Sequence, residues 1–161
     1  MKKTFVILTI IFLTSFVVEA QMLPAKVKNY LSRNYPGWEI GESWVVGSKP
    51  LKANVSGDFN GDGKSDYAVL ITKGDRIYAI ALLAQNNSYK AFNLLAQNRE
   101  NRWIAGIDAM PKGSELHSET HHDNSGKTFR IKNDGIEIYD GERHGRIFYW
   151  QNGKFLSANC F

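Results

Sequence analysis

The chain has 161 residues, a formal net charge of +4, 22% charged residues and a single cysteine. That length favours one domain, and the scattered Lys and Arg residues, without a basic block, argue against nucleic-acid binding. Cys160 stands alone, so an intrachain disulfide is excluded while an intermolecular one stays open, and a thiol catalyst would need a positioned base and orienting neighbours, so a packed or frayed terminal residue is the favoured reading.

The first twenty residues carry the order of a secretory leader. Lys2 and Lys3 precede an uncharged, mainly apolar run, Phe5 to Val18, and "VEA" ends at Ala20 with small residues at the cleavage positions. The run is shorter than the ~20 apolar residues of a spanning helix. Residue 21 is Gln, so the lipoprotein pattern is absent. The expectation is a signal peptide over 1–20, cleaved near Ala20, and one exported domain over 21–161 with no membrane span, secreted or periplasmic. Removing Lys2, Lys3 and Glu19 lowers the formal charge from +4 to +3.

"LPAKVKNYLSRNYPGWEI" reads as one amphipathic helix. Leu23, Val27, Tyr30 and Leu31 recur at helical spacing, Pro24 suits the first turn and Pro36-Gly37 stops it. "WVV" at 44–46 and "KANV" near Val55 are short extended segments. "YAVLIT", "IYAIALLA" and "YKAFNLLA" are strands joined by the turns "KGDR" and "QNNS", hence an antiparallel meander. The unbroken apolar run Ala79 to Ala84 predicts a strand covered on both faces, with the helix as one cover. Residues 97–127 read as looser and polar, apart from a strand in "WIAGIDAM". "TFRIK" and "IEIYD" flank Asn133-Asp134-Gly135, and "RIFYWQ" and "FLSANC" flank Asn152-Gly153; each pair predicts a hairpin. The fold class is α+β: one N-terminal helix packed on a mostly antiparallel sheet of meander and hairpins.

The chemistry concentrates in "DFNGDGKSDYAVLI". Counted from Asp58 as position one, Asp58, Asn60, Asp62 and Asp66 fall at positions one, three, five and nine. Gly63 is at six, where a calcium loop turns sharply, and Lys64 is at seven, where such loops use the backbone carbonyl. Crowded carboxylates repel unless a cation compensates them, and an all-oxygen donor set suits calcium over zinc or copper. Position twelve is Val69, not the bidentate Glu of a helix–loop–helix site, so weak binding is expected, with a Kd of ~10⁻⁴–10⁻³ M. A water or a distant carboxylate, such as Asp75 or Asp108, could complete the coordination.

"SGDFNGDGKSDYAVLI" resembles the calcium-binding core of the FG-GAP, or VCBS, repeat. In that family the loop joins two strands of a β-propeller blade. The resemblance implies a calcium ion held by Asp58, Asn60, Asp62 and Asp66 with the Lys64 carbonyl. The family strings several repeats together, and this chain carries one copy. The whole chain is also similar to small exported bacterial proteins with one such loop, an "LP…VK" helix and an ending like "FYWQNGKF"; the helix is faintly similar to the start of PepSY-like domains.

Other motifs carry less. His117, His121 and His122 sit in "ELHSETHHD" without His-Glu-x-x-His or apolar periodicity, which reads as a solvated loop. "NSGKT" lacks the upstream glycine of a phosphate loop. Trp38, Trp44, Trp103 and Trp150 could form a sugar platform, but aromatics in β domains more often fill the core. No catalytic residue is identified. The functional expectation is a non-enzymatic, calcium-binding exported domain whose partner is an envelope protein or a glycan. An inhibitor that blocks another protein's active site, or a hydrolase with an acidic cleft, are the alternatives.

Overall fold

The computed structural model describes residues 23–43, 45–46, 49–101, 103–120, 123–140 and 145–160; the expected leader lies outside them. The elements run α1 (Ala25–Asn34), β1 (Glu39–Ile40), β2 (Val45–Val46), β3 (Lys49–Pro50), β4 (Asn54–Gly57), β5 (Asp66–Lys73), β6 (Arg76–Gln85), β7 (Ser88–Asn98), a 3-10 turn (Arg99–Asn101), β8 (Ile104–Met110), β9 (Glu115–Thr120), β10 (Asp123–Arg130), β11 (Gly135–Asp140), β12 (Gly145–Gln151) and β13 (Lys154–Cys160). The fold is therefore mostly antiparallel β-sheet with a single short helix among the described residues. No described helix is long and apolar enough to cross a membrane.

Pro24 is the N-cap of α1, in an extended conformation; it has no N–H of its own to pair and supplies no side-chain cap. The helix closes with the Tyr35 N–H on the Leu31 carbonyl at 2.7 Å, and Gly37, at φ +76°, redirects the chain.

The first sheet has the order β1-β5-β6-β7, with β4 also on β5. β4 pairs with the start of β5 and β1 with its end, so two short strands share one edge. Between them, the Leu70 N–H donates to Ala53 O and Leu70 O accepts from the Gly41 N–H, at 2.7 and 2.8 Å. A Cβ on Gly41 would stand 2.8 Å from the Leu70 Cβ, so only glycine permits this approach. The expected meander is present, with the tight turns Lys73↔Arg76 and Gln85↔Ser88. Gly74 at φ +60° and Asn86 at φ +51° supply the left-handed positions these turns require.

The second sheet runs β13-β12-β11-β8, and β9 and β10 form a separate hairpin. The Asn152-Gly153 hairpin is as expected, with both residues at positive φ. The Asn133-Asp134-Gly135 hairpin is not. β10 pairs with β9, whereas β11 pairs with β12 and β8. Gly135 does not adopt positive φ, and Asp134 is held by backbone groups from elsewhere, so the Asp-Gly pair links two sheets instead of reversing one. The stretch 97–127 is likewise more ordered than expected: it holds β8, β9 and much of β10.

Side-chain alternation explains the apolar run. Ala68 and Leu70 of β5, with Ile77, Ala79, Ala81 and Leu83 of β6, join Ile104, Ile107, Ile136, Ile138 and Phe148 in one buried cluster that spans both sheets. The opposite positions, Val69, Ile71, Ile80 and Leu82, join Leu23, Val27 and Leu31 in a second. With both faces buried, no polar residue interrupts β6 between Ala79 and Leu83. A third cluster gathers Leu116, Ile131, Ile147 and Ala158, so β9 contributes to the far side of the second sheet.

Candidate functional site

Residues 58–65 connect β4 to β5, two antiparallel strands in register at Gly57↔Asp66. The loop winds on its own carboxylates. Asp58 accepts the Gly61 N–H on Oδ1 at 2.9 Å and the Gly63 N–H on Oδ2 at 3.0 Å. Asn60 Oδ1 accepts the Asp62 N–H, and Asp62 Oδ1 accepts the Lys64 N–H, each at 3.0 Å. Gly61 and Gly63 stand at φ +78° and +77°, the conformation that lets successive N–H groups point inwards.

The two glycines are not equivalent. A Cβ on Gly61 would fall 2.5 Å from Asn133 Oδ1, whereas one on Gly63 meets nothing. Gly63→Ala is expected to cost ~1–2 kcal/mol from backbone strain alone. Gly61→Ala should cost more, because Asn133 must also move; urea denaturation of the two variants measures the difference.

Asp62 and Lys64 form a local ion pair, Nζ to Oδ2 at 3.0 Å. The hydrogen bond from Lys64 holds the Asp62 carboxyl below its ordinary value. A depressed carboxylate contributes stability above its unfolded pKa and loses it as pH falls through the folded one. Lys64→Met is expected to raise the Asp62 pKa, read directly by carboxyl-carbon NMR titration.

Asp66 is placed differently from the other loop acids. It is fully buried, and its oxygens accept the Phe59 N–H at 3.0 Å and the Ala84 N–H at 2.7 Å. Burial pushes its carboxyl above the usual value, against the pull of the Ala84, Phe59 and Asn60 N–H groups. Asp58, Asn60 and Asp62 therefore share the wound loop, while Asp66 fastens that loop to β6. Among the described residues no three His, Cys, Asp or Glu side chains stand close enough to hold a metal ion.

Two anchors escaped the sequence reading. Phe59, between the ligand positions, is fully buried in the cluster that spans both sheets. Asp134 accepts the Asp58 N–H on Oδ2 at 2.9 Å and the Lys112 N–H on Oδ1 at 3.0 Å, and its own N–H donates to Asp58 O at 3.2 Å. The loop is thus fixed to the second sheet as well as the first. An aromatic at position two of an otherwise polar loop was the available signal for Phe59; Asp134 carried none beyond its turn.

The remaining candidates disperse. Asp75 lies in the turn at the far end of β5, ~25 Å along the strand from the loop. Asp108 accepts the Ala109 N–H at 2.9 Å and faces Lys52 Nζ at 3.8 Å. Asp75 is not brought to the loop by its strand. Trp38 packs beside the helix cluster and donates to Ser32 Oγ, Trp150 packs against Phe92 and Phe155, and Trp103 is exposed, so these three do not form one platform. His117 lies in β9, not a loop; His121, His122 and Trp44 fall outside the described residues, as does the Cys160 side chain. No family profile, curated protein or solved structure matches the chain.

Proposed function

We propose that the protein is an exported, non-enzymatic domain that binds calcium at the 58–66 loop and serves a binding or structural role at the cell envelope or outside the cell. The observation that carries this reading is the winding of the loop: three oxygen-bearing side chains, Asp58, Asn60 and Asp62, are curled together by backbone N–H donors. The donor set fits a hard cation, since it offers only oxygen, and each carboxylate oxygen has lone pairs beyond the one its N–H uses. Asp58, Asn60, Asp62 and the Lys64 carbonyl would hold the ion, with Asp66 supplying charge from behind. A bound ion would offset the negative charge of Asp58 and Asp62, a role that the Lys64 ammonium fills at Asp62 at 3.0 Å. In the same reading α1 packs as a cover on the outer face of the first sheet, which supports β5 and through it the loop.

The consequence is mechanical, not catalytic. Asp58 is already tied to Asp134 and Phe59 to the core, so an ion there stiffens a junction between the two sheets. Titration calorimetry of the purified protein is expected to give a Kd of ~10⁻⁴–10⁻³ M for calcium. Absence of heat at ~30 mM calcium, well above that range, would remove the reading.

A further inference from the structure

A second site shares no residue with the calcium loop, although its Tyr89 pairs across the β6–β7 ladder with Ala84, whose N–H Asp66 accepts. A cavity of about 280 Å³ opens between α1 and the β6–β7 turn. One wall is a stripe of the helix, Lys26, Asn29 and Arg33 with Tyr30 and Asn34, at spacings of three and four residues; the other is Asn87, Ser88 and Tyr89. This stripe flanks the buried Val27 and Leu31, so burial of the helix's apolar side is what presents the polar stripe to the turn.

The lining is rich in donors and contains no carboxylate. Arg33 and Lys26 bring two positive charges, and neither pairs with an acid among the described residues. Lys26 Nζ lies 5.4 Å from the centre of the Tyr89 ring, which keeps the ammonium at the cavity without neutralising it. Tyr89 in turn packs edge-on against Tyr30 and Tyr67, with centroids 5.8 and 6.0 Å away, so the aromatic wall is braced from both sides. Two cations alone would suit any anion. Three side-chain amides, a serine hydroxyl and two tyrosines add more neutral hydrogen-bonding groups and ring surface than a bare anion needs. That combination matches a sugar ring bearing a charged substituent, and the volume, near the ~300 Å³ lower bound of small-molecule pockets, accommodates about one such ring.

We propose that this cavity binds an anionic saccharide unit, its carboxylate facing Arg33 and Lys26 and its ring against Tyr89. The site uses no residue of the calcium loop, so its failure and that of the calcium reading are separable. Calorimetry in EGTA, with trigalacturonate, neutral maltotriose and inorganic phosphate as probes, tests it. Trigalacturonate should bind at least about tenfold more tightly than either other probe, and weaken when salt rises from about 50 to 500 mM. Arg33→Ala should weaken it about tenfold and Lys26→Ala several-fold. Lys73→Ala, which removes the same charge from the far end of β5, should leave it unchanged. All three positions are exposed, and unaltered melting confirms the fold of each variant. No trigalacturonate binding at about 10 mM overturns the proposal. So does equal binding of maltotriose or phosphate, or an equal loss in Lys73→Ala and Arg33→Ala.

Discussion

Asp66→Ala is expected to lower stability by about 2–6 kcal/mol. The carboxylate is fully buried and satisfies the N–H groups of Phe59 and Ala84. Alanine leaves both donors without a partner, at ~1–3 kcal/mol each. Asp66→Asn should cost less, since its carbonyl oxygen keeps one of the two bonds. The two substitutions also separate charge from hydrogen bonding. Because burial raises the Asp66 pKa above its unfolded value of 3.8, the group's proton-linked contribution is full below that value. It is lost as pH rises through the folded pKa. The cost of Asp66→Asn, taken from urea unfolding at several pH values, should therefore shrink as pH rises from about 4. A cost that grows over the same range would mean that hydrogen bonding outweighs burial at this carboxyl.

The second large effect is calcium-dependent melting. With a Kd of ~10⁻⁴–10⁻³ M, 10 mM calcium stabilises the folded state by about 1.4–2.7 kcal/mol. For a domain of this size that raises Tm by roughly 4–10 °C relative to EGTA. Asp62→Ala should abolish the difference while barely altering melting in EGTA, because Asp62 is exposed and its partners are local. Equal melting in calcium and EGTA for the unaltered protein would leave the wound loop as a purely structural device. Asp66→Ala is the poorer test of metal binding, since it weakens the loop whether or not an ion is present.

The elements that the sequence announced are those whose pattern is set by local geometry. Val27 and Leu31 declare a helix through their spacing, and Ala79 to Leu83 declares a doubly buried strand because neither face tolerates a polar residue. Turns were legible where the residue type meets a positive-φ demand, as at Gly74, Asn86 and Asn152-Gly153. Partner choice was not. The alternation in "FRIK" and "IEIY" is compatible with any antiparallel neighbour, and only the three-dimensional packing assigns β10 to β9 and β11 to β12. The same limit applied at the loop. Spacing could group Asp58, Asn60, Asp62 and Asp66, but it could not show that Asp66 turns inwards to Ala84, a residue eighteen positions away. Nor could it show that Asp134 reaches Asp58 across seventy-six positions.

The division of one β5 edge between β1 and β4 bears on self-association. An open strand edge is a template on which another chain can grow by adding its own backbone ladder. Here that edge is capped by strands of two and four residues, too short to guide a docking strand in register. At the opposite side β7 carries a bulge where Ala79 and Ile80 face Leu95 and Asn93, which breaks the flatness that fibril growth requires. The first sheet can therefore keep a strongly apolar centre without offering neighbouring copies an uninterrupted rim to polymerise upon.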